Sequence, residues 1–146
     1  MCTIILAYKV FKDFPIVVAA NRDELLDRPS EPPCLRDAEL QIFAPKDLQR
    51  GGSWIGINGF GVLAGLTNRA DIKSEPGRMS RGAIVMRALE HKSAFSALEY
   101  MRSIRGEELN GFNMIIVDAL NAFLLRGTGK NISIASVVNS VWAITN

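Results

Sequence analysis

An α+β fold with a mostly antiparallel sheet is predicted by three features of the chain. Strand-like runs come in pairs, Thr3–Tyr8 with Ile16–Ala20 and Trp54–Ile57 with Val62–Leu66. Each pair is joined by turn-forming residues, Lys12-Asp13-Phe14-Pro15 and Asn58-Gly59. Two amphipathic stretches then follow back to back before the chain returns to β pattern. The order ββ, ββ, αα, ββ, β keeps helices apart from strands across a single domain, residues 1–146.

The first two runs are almost continuously apolar, which predicts strands buried on both faces. Asn21-Arg22-Asp23-Glu24 follows the second run directly. Asp27 to Arg36, with three prolines among alternating charges, predicts a surface loop. Asn58-Gly59 predicts a two-residue type I′ hairpin, since both central positions of that turn take positive φ. In Ser80–His91, Ile84, Val85, Ala88 and Leu89 share one helix face. In Ser93–Ile104 the stripe is Phe95, Leu98, Met101 and Ile104, with Ser93 as N-cap. Asn113–Val117 and Ala122–Leu125 read as a further strand pair about a turn at Asp118–Asn121, and Val137 to Thr145 holds room for one more strand.

With 146 residues, 48% hydrophobic and 22% charged, the chain can bury a proper core. A net charge of +2, with basic residues scattered, argues against nucleic acid or an anionic membrane surface as partner. No apolar run approaches the ~20 residues that span a bilayer. The first apolar run has no basic lead and is too short for a signal sequence, so a reducing compartment, most simply the cytoplasm, is expected. The two cysteines, Cys2 and Cys34, show no CxxC or Cys/His spacing, and no metal is expected.

Cys2 carries the chemical interest. Methionine aminopeptidases cleave ahead of small second residues, so Cys2 is expected to become the N-terminus, with a thiol and an α-amine on one residue. That amine has a pKa of about 7.7–8.0 and can take the thiol's proton. A small residue opening a buried strand is the plainer reading of the same position. If the first two strands pair antiparallel, Asn21–Asp23 comes to the same end as Cys2, and Asn68 joins if the Trp54–Leu66 hairpin lies alongside. Asn21–Glu24 also reads as a solvated turn. Trp54 and Phe60 suit either a pocket wall or the core. His91, beside Glu90 and Lys92 late in a helix, fits a solvated face better than a Cys–His pair.

Five blocks in order, Met1-Cys2-Thr3, Ala20-Asn21-Arg22-Asp23-Glu24, Ala44-Pro45-Lys46-Asp47, Gly51-Gly52-Ser53-Trp54-Ile55-Gly56 and Gly65-Leu66-Thr67-Asn68-Arg69, resemble the NRDE family. Its eukaryotic members are called transport and Golgi organisation protein two. The likeness is close over residues 1–69 and extends to Ala143-Ile144-Thr145-Asn146. That family in turn resembles the N-terminal nucleophile (Ntn) hydrolases of the choloylglycine hydrolase and penicillin V acylase type. Those enzymes also start Met-Cys-Thr and share the hairpin pattern of Gly56 to Asn68. The resemblance implies a four-layer αββα sandwich cleaving a small-molecule amide or thioester, incomplete at this chain's C-terminus because family members run further.

Carried over, the resemblance implies Cys2 as nucleophile and, through its amine, base. Asp23 would orient that amine, Arg22 would stabilise the thiolate or bind an acyl carbonyl, and Asn68 would donate to the oxyanion. Asn21, Trp54 and Phe60 would contact substrate. Two departures stand out: Arg22 follows Asn21 where the hydrolases place Arg first, and Thr67 precedes Asn68, turning the side chain to the opposite face of a regular strand. No cofactor is expected. A non-catalytic role binding haem or an acyl lipid is the alternative that the resemblance implies.

Overall fold

The computed structural model describes residues 1–146. Ten strands and two helices form an α+β sandwich of antiparallel sheets. A small sheet holds β1 (Thr3–Tyr8) between β2 (Ile16–Asn21) and β10 (Ser140–Thr145). A large sheet runs β3 (Ser30–Asp37), β4 (Ile42–Asp47), β5 (Ile55–Ile57), β6 (Leu63–Asn68), β7 (Phe112–Val117), β8 (Ala122–Gly127) and β9 (Ile132–Ser136) in spatial order. Helices α1 (Arg81–Ala88) and α2 (Ala94–Ser103) cover one face of the large sheet.

Two cores follow from this layering. Between helices and large sheet, Ile84, Val85, Leu89, Leu98 and Met101 pack on Ala44, Ala64, Phe112, Met114 and Ile116. Between the sheets, Ile4, Leu6, Tyr8 and Ile144 meet Ile115, Val117 and Leu124. Gly65 permits the close approach there, since a Cβ on it would stand 3.0 Å from Ile4 Cδ1.

Only three of the four layers implied by the resemblance are in this chain, and this corrects the expectation that the first two strands are buried on both faces. The outer face of the small sheet leaves Ile5 45%, Val17 41% and Val141 59% exposed. β1 is buried chiefly toward the large sheet, through Ile4, Leu6 and Tyr8, and β2 is mostly exposed.

The expected loop from Asp27 to Arg36 instead contributes the edge strand β3. Pro32 and Pro33 cannot donate to a ladder, and an edge position with a register shift between Glu31 and Cys34 absorbs them. The expected two-residue turn at Asn58-Gly59 is a five-residue loop, because Ile57 pairs with Leu63 and the positive φ falls on Gly61. Asn58 is buried instead, and its side chain organises the loop: Phe60 N and Val62 N donate to Oδ1 at 3.0 and 2.9 Å. Its Nδ2 donates to Leu89 O and His91 O, both at 2.7 Å, and so caps the end of α1 earlier than expected. At α2 the Ser93 cap is as expected, with Ser96 N donating to Ser93 Oγ at 3.1 Å. No helix is long and apolar enough to cross a membrane.

Candidate active site

The antiparallel pairing of Thr3 with Asn21 fixes the corner where the small sheet ends. Cys2 precedes β1 and Arg22 follows β2, so the two stand opposite each other just past the ladder. Asp23 N donates to Cys2 Sγ at 3.3 Å, and the thiol donates to Asp23 O at 3.3 Å. The Met1 ammonium pairs with the Asp23 carboxylate. Asn21 holds the terminal segment, its Oδ1 accepting from Thr3 N and its Nδ2 donating to Met1 O, both at 3.1 Å.

Behind this corner lies a cavity of about 220 Å³. Cys2, Arg22, Trp54 and Asn68 all line it. The Arg22 guanidinium lies over the Trp54 ring at 4.7 Å, a cation–π geometry, while its Nη2 is buried with no hydrogen-bond partner. Asn68 ends β6 with its side-chain amide making no bond to the protein, whereas Thr67 Oγ1 accepts from Asn113 Nδ2 at 3.4 Å. Asp23 and Asn21 touch the terminal segment rather than the cavity wall. Phe60 sits apart, on the loop between β5 and β6 under the Lys92 ammonium, and His91 packs against Tyr100.

The cavity is also lined by residues that sequence reasoning did not select. Arg28 donates from Nη1 to Glu24 Oε2 at 2.7 Å and from Nη2 to Asp47 Oδ2 at 2.6 Å, tying the end of β2 to the end of β4. Asp47 is 8% exposed and also accepts from Gln49 N and Arg50 N at 2.9 and 3.1 Å. Burial pushes its carboxyl upward, but the Arg28 hydrogen bond and the two N–H groups outweigh this and hold it below the ordinary carboxylate value. The turn it organises carries Arg50 to the cavity and brings Gly52 against Gly82 at the start of α1. Arg81 opens that helix and donates to Gly111 O at 2.8 Å. One signal for Arg81 was readable: a cation in a helix's first turn opposes the macrodipole, and that turn of α1 has no acid.

The Cys2 thiol titrates above its ordinary value, chiefly because burial disfavours the thiolate. The terminal ammonium and Arg22 pull it down, and Glu24 pushes it up. With Met1 attached, the alkylation rate of Cys2 is therefore expected to climb to a midpoint above the ordinary thiol value. Glu24→Gln should move that midpoint down and Arg22→Gln should move it up. Stopped-flow alkylation across pH checks this, and a midpoint indifferent to both changes would dissociate the sulfur from its charged neighbours.

A family model described as Transport and Golgi organisation 2 matches residues 1–146. The chain belongs to that family. It is 34% identical over 110 residues to the Transport and Golgi organization 2 homolog of Mus musculus, covering 72% of this chain and 39% of the mouse protein. The Homo sapiens homolog is 32% identical over 114 residues, covering 75% of this chain and 41% of its own length. The chain thus spans about two fifths of the curated family members it matches.

Proposed function

We propose that this family member forms the nucleophile-bearing part of a cysteine hydrolase that cleaves a small-molecule amide or thioester. The observation that supports this reading is the Cys2 sulfur, held by Asp23 N–H at 3.3 Å on the wall of a cavity it shares with Arg22 and Asn68. Loss of Met1 gives Cys2 a free α-amine and releases Asp23, whose carboxylate then takes the new terminus. The amine accepts the thiol proton, and sulfur attacks the substrate carbonyl. The carbonyl's π electrons move to oxygen, where the Asn68 amide donates to the oxyanion; one such donor lowers the barrier by about 2.7–4 kcal/mol. Collapse breaks the C–N or C–S bond, the ammonium returns its proton to the leaving group, and a Cys2 thioester remains. Water, deprotonated by the amine, hydrolyses that thioester and restores the thiol. A reducing compartment such as the cytoplasm keeps the sulfur available.

The competing reading is an acyl-lipid binding or transfer protein without turnover. It is favoured by the burial of the Cys2 sulfur, which raises its pKa and so disfavours the thiolate that would attack. Haem suits the cavity poorly: its walls are mostly polar or charged, and the single histidine lies elsewhere.

Intact-mass analysis of purified protein, followed by exposure to an activated acyl ester, separates the readings. Hydrolysis predicts loss of Met1 and acylation of Cys2 well ahead of exposed Cys34, abolished by Cys2→Ala. A retained Met1, or equal labelling of the two thiols, would defeat the enzymatic reading.

A further inference from the structure

The charges around the cavity do not cancel. Arg22, Arg28, Arg50, Arg78 and Arg81 line it, against Glu24, Asp47 and Glu75. The ion pairs among them are internal: Arg28 takes both Glu24 and Asp47, and Arg78 takes Glu75. Arg22, Arg50 and Arg81 are left with no carboxylate. For Arg22 the deficit is acute, since Nη2 is buried without any partner. Arg81 spends one N–H on Gly111 O and leaves the others unused.

These unpaired guanidiniums line one cavity but have different neighbours. Arg22 acts on the sulfur of Cys2. Arg81 lies instead among Arg28, Arg50 and Glu24; burial first, and then Arg28 and Arg50, depress its pKa, and Glu24, already paired with Arg28, offsets this only in part. Arg81 also begins a helix whose first turn carries no acid and whose N-cap Ser80 makes no side-chain cap bond. A cation placed there works against the helix, and the macrodipole adds to the positive potential. An anion bound beside Arg81 would satisfy the guanidiniums and the helix together.

We propose that the cavity recognises its substrate through an anionic group, a carboxylate or a phosphate, borne away from the bond that is cleaved and anchored by Arg81 and Arg50. This rests on the hydrolase reading for the word substrate, while the anion site itself does not depend on Cys2 reacting. A planar, multi-donor guanidinium pair suits two or three oxygens of one anion, which lysines would hold less specifically. The substrate would lie with its carbonyl at Cys2 and Arg22 and its charge at the start of α1.

Two measurements on the full chain test this. The first is calorimetric titration with glutarate and with glycerol 3-phosphate, on wild type, Arg50→Gln and the Arg50→Gln/Arg81→Gln pair. One of the two anions is expected to bind, identifying carboxylate or phosphate, and to weaken by about tenfold or more in the double variant. Arg50 is exposed and makes no side-chain bond, so its single variant keeps the fold and still reports a loss. The second is the acylation rate of Cys2 by acetyl thioesters whose leaving thiol is neutral, carboxylated or phosphorylated, with one anionic thioester expected to outpace the neutral one. If neither anion binds wild type more tightly than the double variant, the anion site is wrong, even where Cys2 is acylated. Anion binding beside an inert Cys2 keeps the site and removes the hydrolase.

Discussion

Replacing Asn58 with Asp should cost the fold about 3–5 kcal/mol, the range for a buried charge deprived of its partner. The wild-type amide is 4% exposed and fully used, with two donors on carbonyls and one oxygen accepting twice. A carboxylate keeps the acceptor role toward Phe60 N and Val62 N but turns a second oxygen on Leu89 O and His91 O, where only repulsion is available. Native stability is typically about 5–15 kcal/mol, so much of it would be lost. Urea denaturation would read the change. The new carboxyl titrates above its unfolded value, so the folded state keeps the proton longer. The deficit should therefore be smallest at low pH and grow as pH rises past the ordinary carboxylate value. An unchanged urea midpoint at neutral pH would mean that Asn58 does not hold the loop to α1.

Gly52→Val should be nearly as damaging, and through the site. A Cβ at Gly52 would lie 2.4 Å from Gly82 C, 2.6 Å from Gly82 O and 2.8 Å from Ala83 N, all of them backbone. No rotamer relieves that contact, so the first turn of α1 has to retreat. Ser53 N loses its 3.2 Å bond to Gly82 O, and Arg81 moves with the helix. Overpacking of this kind costs about 1–3 kcal/mol, and a backbone obstacle favours the upper end. Gly51→Ala makes a useful contrast: its φ of +79° is strained for alanine, but a Cβ there meets nothing within 4 Å. That change should cost only about 1 kcal/mol and leave the cavity unaltered. Calorimetric melting of both variants, with Cys2 alkylation as a report on the cavity, would show the difference. Equal losses would mean that Gly52 is kept for conformation and not for closeness.

The paired strands β1–β2, β5–β6 and β7–β8 and both helices were legible because their apolar spacing is local. β3 was hidden by Pro32-Pro33, which mimic a loop unless the strand's edge position is known. β4 and β9 carried no periodic signal strong enough to stand alone. Asn58 misled for a different reason: Asn-Gly marks a turn by backbone preference, whereas here the side chain is recruited by α1, which lies some thirty residues on. In the site, Cys2, Arg22 and Asp23 were readable because one hairpin register brings strand ends together. Arg28, Asp47, Arg50 and Arg81 were not, because they come from separate segments that only tertiary packing joins. Arg81 alone left a trace, as a cation where a helix start disfavours one.

The thickness of the two cores differs, and the thiol rides on the thinner. Nineteen buried residues bind helices to the large sheet, but nine bind the small sheet to its neighbour. The layer carrying Cys2 thus rests on the smaller of the two cores. Fewer buried contacts hold that sheet than hold the helical half, which ties the poise of the reactive corner to anything that grips or frees it.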